Sequence, residues 1–235
     1  MKPPALVLFV KAARPGEVKT RLSPSLSPEQ ACRMHRAFAE DLVALTADLG
    51  ADRFLATNDV TDAFVADLAR RAGIGLVAQH PGDLGERMLD VQSKLAPDHA
   101  GVVILGGDCP TLPAPYVRDA LLPAGRDVVL GPATDGGYYL IGAPGPTPEL
   151  FAGMPWGGPA VLAQTLERAT RAAQGVRLLP FWYDVDTPDA LALLGAHLAH
   201  LSLDVAPVTR EALRQIDRGA APRMRGKLTG RRSTG

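Results

Sequence analysis

The sequence is short of cysteine, of excess charge of either sign and of long hydrophobic runs, and each shortage closes off a class of protein. Two cysteines, Cys32 and Cys109, stand in 235 residues. They are too few for a disulfide scaffold or a four-ligand zinc site of the CxxC…CxxC kind, and a reducing cytoplasm is the simplest compartment. Lys plus Arg is 25 and Asp plus Glu is 25, so a dedicated nucleic-acid binder is not expected. No apolar stretch approaches the roughly 20 residues that span a bilayer. The apolar run 5–10 stops at Lys11, too soon for a signal-peptide core, and reads as a buried first strand. Three phosphate or nucleophile motifs are also missing: there is no P-loop, no G-x-G-x-x-G after the first strand and no G-x-S-x-G elbow.

What is present is a globular composition. Hydrophobic residues make up 46%, which argues against a disordered chain. At about 150 residues per domain the length suggests one or two domains, able to bury about 70–75% of the unfolded surface. Short apolar blocks at 5–10, 53–57, 75–79, 101–106, 127–131, 138–142 and 176–180 are bounded by Gly, Pro or charge, as buried strands are. Between them lie helical stretches at about 28–49, 60–72, 84–96, 113–122, 158–174 and 187–201. Ala31, Met34, Phe38, Leu42 and Leu45 form a core-facing stripe in the first. Ser27-Pro28 and Thr187-Pro188 each place a capping side chain before a proline at the first helical position.

Alternating strands and helices imply βαβ units and a mostly parallel sheet. The blocks 127–131 and 138–142 are joined too tightly for a helical crossover and are expected to pair antiparallel. The Pro/Gly-rich stretch 143–159 reads as a surface loop or flap in which Leu150 and Phe151 can seat a helical turn. The expected organisation is a single domain, 1–217, followed by a basic tail, 218–235, that carries six Arg and Lys residues and no acid and reads as disordered.

Open parallel sheets bind ligands at the carboxyl ends of their strands. After the first strand come Lys11, Arg14, Gly16, Lys19 and Arg21; after the third, Asp83, Gly85, Glu86 and Arg87; after the fourth, Asp108; between the antiparallel strands, Asp135-Gly136-Gly137; after the last, Asp184 and Asp186. Cations on one loop and carboxylates on others suit a pyrophosphate whose charge is offset partly by a carboxylate-held Mg²⁺ and partly by Lys and Arg. Lys11, Gly16, Lys19, Arg21 and Arg87 are the candidate phosphate contacts. Each carboxylate also has a plainer use. Asp108 could cap the helix at 113–122, although Thr111 is nearer; Asp184 and Asp186 could serve the turn before 187–201; Asp135-Gly136 is a strong turn signal. Tyr138 and Tyr139 point to opposite faces of their strand. Cys109 reads as a small packed residue, and His35, His80 and His99 form no pattern.

Five segments in order, K-A-A-R-P-G-E-V-K-T-R-L, G-D-L-G-E-R-M, G-G-D-C-P, G-P-A-T-D-G-G-Y-Y-L-I-G and D-V-D-T-P-D-A-L, cover about residues 5–195. Together they resemble a glycosyltransferase-A-like family of nucleotide-diphospho-sugar transferases, some of them named arsenosugar-biosynthesis glycosyltransferases. More distantly the chain is similar to the molybdopterin and phospholactate guanylyltransferases. The resemblance implies a three-layer α/β/α fold with a seven-stranded mixed sheet, one strand antiparallel. It implies that Lys19 and Arg21 contact phosphates, that Gly85 and Glu86 line the nucleotide pocket, and that Asp108 and Asp186 hold Mg²⁺ or Mn²⁺ with Asp184 assisting. Asp135, Gly136, Gly137 and Tyr138 would face the acceptor, and Lys19, Asp108, Asp135 and Asp186 would carry the catalysis. The chain departs from the family pattern at Ala13, Gly107 and Gly157-Gly158.

Two enzyme readings follow. One is glycosyl transfer from a nucleotide sugar to a small acceptor. The other is nucleotidyl transfer from a nucleoside triphosphate to a phosphorylated small molecule. A single aspartate after the fourth strand, completed by Asp186 from the last loop, leans to the second; the closer resemblance leans to the first. A third reading, a non-catalytic nucleotide-binding module, has no need of paired carboxylates. The expected partners are the nucleotide donor and a small-molecule acceptor, with no specific nucleic acid and no transmembrane segment, and a homodimer is compatible with all three readings.

Overall fold

Seven short strands lie side by side in one sheet among the described residues; the central ones are apolar enough to be buried on both faces, whereas the edge strands keep exposed side chains such as Leu76 and Leu178. The computed structural model describes residues 2–23, 25–122 and 127–220. The strands are β1 (Ala5–Phe9), β2 (Asp52–Thr57), β3 (Gly75–Ala78), β4 (Val102–Gly106), β5 (Val128–Pro132), β6 (Tyr138–Ala143) and β7 (Val176–Leu178), in the order β3-β2-β1-β4-β6-β5-β7. β6 runs antiparallel to both neighbours, β4 and β5, and the other pairs are parallel. This is the seven-stranded mixed sheet with one antiparallel strand that the resemblance implied.

Eight helices accompany the strands among the described residues: α1 (Pro28–Leu45), α2 (Ala63–Ala72), α3 (Leu84–Leu95), α4 (Ala114–Leu121), α5 (Pro148–Phe151), α6 (Val161–Arg171), α7 (Pro188–His200) and α8 (Pro207–Ala220). Successive side chains of β1 alternate between the two faces. Leu6, Leu8 and Val10 pack with Leu42 of α1, Leu68 of α2 and Val117 of α4. Ala5 and Val7 pack with Met88 of α3, Phe151 of α5 and Ala169 of α6. These are the three layers. The two anticipated caps form: Ser27 makes a capping box with Gln30, and Thr187 accepts from the amide of Ala190. Neither Asp108 nor Thr111 caps α4, whose N-cap is Pro113; the Thr111 hydroxyl is bonded to that of Tyr183 instead.

The sequence reading stopped its helices at 201, and the structure corrects it. α8 packs on α1 and joins Met34, Phe38, Leu194 and Leu198 in a third cluster. Its first turn is capped from α1, where the Asp41 carboxylate accepts the amides of Val208 at 3.1 Å and Thr209 at 2.8 Å. Residues 218–220, assigned to a disordered tail, continue this helix; 221–235 lie outside the described residues.

The chain leaves β1 toward β2 on one side and later returns to lay β4 on the other. The strand order reverses between β1 and β4, so the connections there diverge and leave a crevice at the carboxyl edge. The loops that follow β1 and β4 border it.

Candidate functional site

The loop after β1 is tied down before it reaches the site. Ala12 donates to Asn58 Oδ1, Cys32 Sγ and Arg36 both donate to the carbonyl of Ala13, and His35 Nε2 lies 2.9 Å from the carbonyl of Lys11. The loop ends at Lys19, a non-glycine residue in the left-handed region at φ 52° and ψ 34°. That conformation costs of order 1–3 kcal/mol and persists only where its surroundings impose it. A 3-10 turn, Thr20–Leu22, follows.

The left-handed residue turns its side chain inward. Lys19 Nζ lies 2.6 Å from Asp108 Oδ1, 2.7 Å from Asp186 Oδ1 and 2.8 Å from the carbonyl of Val185. The amide of Val185 donates to the carbonyl of Asp108, so backbone pairing brings the two carboxylates together. The lysine side chain is 3% exposed, whereas those of Asp108 and Asp186 are 37% and 38% exposed. Burial alone would pull the ammonium down, but the charges of Asp108 and Asp186 hold Lys19 above its ordinary value. Burial would push Asp108 up, and Lys19 overrides it to hold that carboxyl low. Burial and the neighbouring charge of Asp108 together keep Asp186 raised.

Asp184 is used differently. It accepts from the Cys109 thiol at 2.7 Å. Burial, then the charges of Asp108, Asp135 and Asp186, push its carboxyl up to about 7 against the lowering effect of that bond. Burial and the Asp184 charge raise the Cys109 thiol well above its usual value, so it stays protonated and packed. Among the described residues no three His, Cys, Asp or Glu side chains form a ready group of metal ligands. Lys19 thus joins Asp108 and Asp186 directly, while Asp184 is engaged by the Cys109 thiol.

The pair opens into a cavity of about 540 Å³. Lys11, Lys19, Arg21, Arg87, Asp135 and Tyr138, all anticipated, contribute to its walls. Gly16, Gly85, Glu86, Gly136 and Gly137 do not line it, and four of these have structural uses. Glu86 makes a capping box with Asp83 at the start of α3. A Cβ at Gly85 would meet the Trp156 ring at 2.8 Å and Phe151 at 2.9 Å, so the glycine allows close packing there. Gly136 sits at φ +92° with the carbonyl of Pro159 where its Cβ would be. Its own carbonyl accepts from Leu162, which fastens the β5–β6 turn to the start of α6. The amide of Gly137 donates to Asp135 Oδ1, so Asp135 shapes the turn and still reaches the cavity. Tyr138 and Tyr139 belong to the cores on opposite faces, as expected. His35, Gln79 and Met88 also line the cavity and escaped the sequence reading. His35 had left one sign, since it continues the buried stripe of Ala31, Met34 and Phe38.

A family model described as "Uncharacterized protein conserved in bacteria (DUF2064)" matches residues 41–158. A solved structure from Desulfovibrio desulfuricans G20, named "putative nucleotide-diphospho-sugar transferase", is 32% identical, with a TM-score of 0.81 over 93% of this chain and 98% of that one. The chain belongs to the DUF2064 family. Two further structures share the fold of this DUF2064 chain at lower identity. One is 4-diphosphocytidyl-2C-methyl-D-erythritolsynthase from Anaerococcus prevotii, 10% identical, with a TM-score of 0.57 over 85% of this chain and 97% of that one. The other is a cytidylyltransferase from Leptospira borgpetersenii, 12% identical, with a TM-score of 0.54 over 98% and 100%. No curated protein matches the sequence. No described helix is long and apolar enough to cross a membrane.

The DUF2064 site has the donor chemistry a divalent cation requires. Mg²⁺ takes hard oxygen ligands, usually one or two carboxylates completed by waters and substrate phosphates. Asp108, Asp186 and the carbonyl of Val185 already converge on one cation, the Lys19 ammonium, beside an open cavity. The residues fit such an ion.

Proposed function

We propose that this chain is a divalent-cation-dependent glycosyltransferase that moves a sugar from a nucleotide sugar to a small acceptor. The transferase class is supported by the 32% identical structure from Desulfovibrio desulfuricans G20, which matches 93% of this chain and is named a nucleotide-diphospho-sugar transferase. The observation that carries the reading further is the carboxylate pair lining a cavity that is also walled by three cations, Lys11, Arg21 and Arg87, none in a direct ion pair with a carboxylate among the described residues. Such a cavity suits a diphosphate, whose oxygens these side chains would take in charge-assisted hydrogen bonds. Asp108 and Asp186 would hold a divalent cation, which would offset the charge that builds on the leaving diphosphate.

In this reading the acceptor hydroxyl oxygen bonds to the anomeric carbon while the bond from that carbon to the diphosphate oxygen breaks. The electron pair leaves with the nucleoside diphosphate. The hydroxyl proton passes to Asp135, whose second carboxylate oxygen is not engaged by the turn and which lines the cavity.

A second reading, nucleotidyl transfer, draws on how the carboxylates arrive. Asp108 follows β4 and Asp186 precedes α7, so two loops build the pair rather than one D-x-D segment. An acceptor phosphate oxygen would then bond to the α-phosphorus and pyrophosphate would leave.

Phosphorus NMR separates the two readings. The chain is incubated with Mg²⁺ and either nucleotide sugars plus hydroxylated acceptors or nucleoside triphosphates plus phosphorylated acceptors. Glycosyl transfer releases a nucleoside diphosphate, nucleotidyl transfer releases pyrophosphate, and Asp108→Asn removes whichever is seen. Turnover that survives Asp108→Asn or a chelator contradicts both.

A further inference from the structure

An ammonium has three N–H donors. Those of Lys19 are matched by three protein oxygens, Asp108 Oδ1, Asp186 Oδ1 and the carbonyl of Val185, at 2.6, 2.7 and 2.8 Å. The Phe38 ring covers the ammonium from 5.2 Å. A phosphate that met Lys19 in this state would find no donor free. Yet the position has the marks of a built site: a left-handed backbone at a non-glycine residue, a lysine side chain only 3% exposed, and carboxylates open to the cavity.

We propose that the Lys19 ammonium is a resident cation which a divalent metal ion replaces at Asp108 and Asp186, and that the exchange frees Lys19 to reach the phosphates of the donor. This rests on the reading of the cavity as a nucleotide and metal site. The three oxygens converge where Nζ now sits. A dication held by the outer carboxylate oxygens, with the ammonium left in place, would lie within a few ångströms of a buried positive charge that repels it. With the ammonium resident the pair keeps one net negative charge, and with a dication the pair is neutral. The displaced positive charge then has a use at the diphosphate, toward which Arg21 on the adjoining turn already faces. Lysine suits the task, since its head is a compact point charge on a flexible four-carbon stem.

The test uses Lys19→Met in the full chain, with Mn²⁺ as the probe, read by thermal unfolding and by direct Mn²⁺ binding in electron paramagnetic resonance. Without a cation two adjacent, partly buried carboxylates repel. In chelator the variant is expected to melt several degrees below the wild type, on the order that a broken buried pair produces. Mn²⁺ restores most of the loss and moves the wild type much less. The variant binds Mn²⁺ on the order of tenfold or more tightly than the wild type, because a competing positive charge has gone. Equal or weaker Mn²⁺ binding by the variant overturns the proposal, as does a melting loss that Mn²⁺ leaves unrepaired.

If Lys19→Met does not fold in chelator, its recovery on adding Mn²⁺ is the readout. The double variant Lys19→Met/Asp186→Asn, with one carboxylate neutralised, then folds without metal and shows no Mn²⁺ gain. A double variant that gains as much as the single one also overturns the proposal. Stabilisation of the wild type by nucleotides is independent of these outcomes, so the failure of the exchange and the failure of the nucleotide reading are told apart.

Discussion

A lysine enclosed by two carboxylates and a carbonyl is costly to isolate and stable only as a unit. Removing one partner of a fully buried pair typically costs about 3–5 kcal/mol, and the exposure of the two carboxylates, 37% and 38%, brings the cost below that here. His35 beside it is a different kind of buried group. It is 6% exposed and placed by its bond to the carbonyl of Lys11. Burial pulls its imidazole below the ordinary value, against the pull of that bond and of the Asp108 charge. The folded chain thus keeps His35 neutral at a pH where the unfolded chain, titrating near 6.5, has taken a proton. Its contribution is fully present above about pH 6.5 and is lost as pH falls from there through the depressed folded value. In denaturant melts between pH 8 and pH 5 the wild type should lose stability relative to His35→Gln on the acid side, on top of the opposite slope from Asp184, whose raised carboxyl takes up a proton in the folded chain first. Equal slopes in both proteins would refute the assignment. At this scale Lys19, Asp108 and Asp186 were legible because each follows or precedes an apolar block, where an unneeded charge stands out. At Gly85 and Glu86 a local pattern competes with the implied pocket role: Asp83-x-x-Glu86 is itself a capping signature. His35 was obscured by lying on a helix stripe with no chemical motif around it.

The elements that position the site are β1 and β4, side by side at the point where strand order reverses. Their register, Ala5 with Val102 through Phe9 with Gly106, ends both strands at one level and sends both loops into one crevice. This much follows from apolar blocks, their spacing and the short β5–β6 connection. α8 does not, because its cap is not local. Its N-terminal amides are taken by Asp41, 167 residues earlier, and no window of sequence around residue 207 contains that partner. Asp41→Ala leaves two amides without an acceptor. Its loss should cost about 1–3 kcal/mol. Hydrogen exchange should quicken through α8 while nucleotide affinity stays as in the wild type. Unchanged exchange in α8 would show that packing on α1 suffices to hold it.

The whole molecule is nearly neutral, yet its charges are arranged unevenly. The carboxylate pair and the cations Lys11, Arg21 and Arg87 share one cavity at the carboxyl edge of the sheet, and apolar cores occupy both faces behind it. The central claim is that this cavity binds a nucleotide diphosphate together with a divalent cation. The most direct test is thermal unfolding of the full chain with a panel of nucleoside triphosphates and nucleotide sugars, each with Mg²⁺ and with chelator. A ligand at 100 times its dissociation constant adds about 2.7 kcal/mol, which for a domain of this size raises the midpoint by about 5–10 °C. The account predicts such a rise for at least one nucleotide with Mg²⁺, lost in chelator and lost in Asp108→Asn. A midpoint that no nucleotide moves, or one that moves equally in chelator, would contradict it.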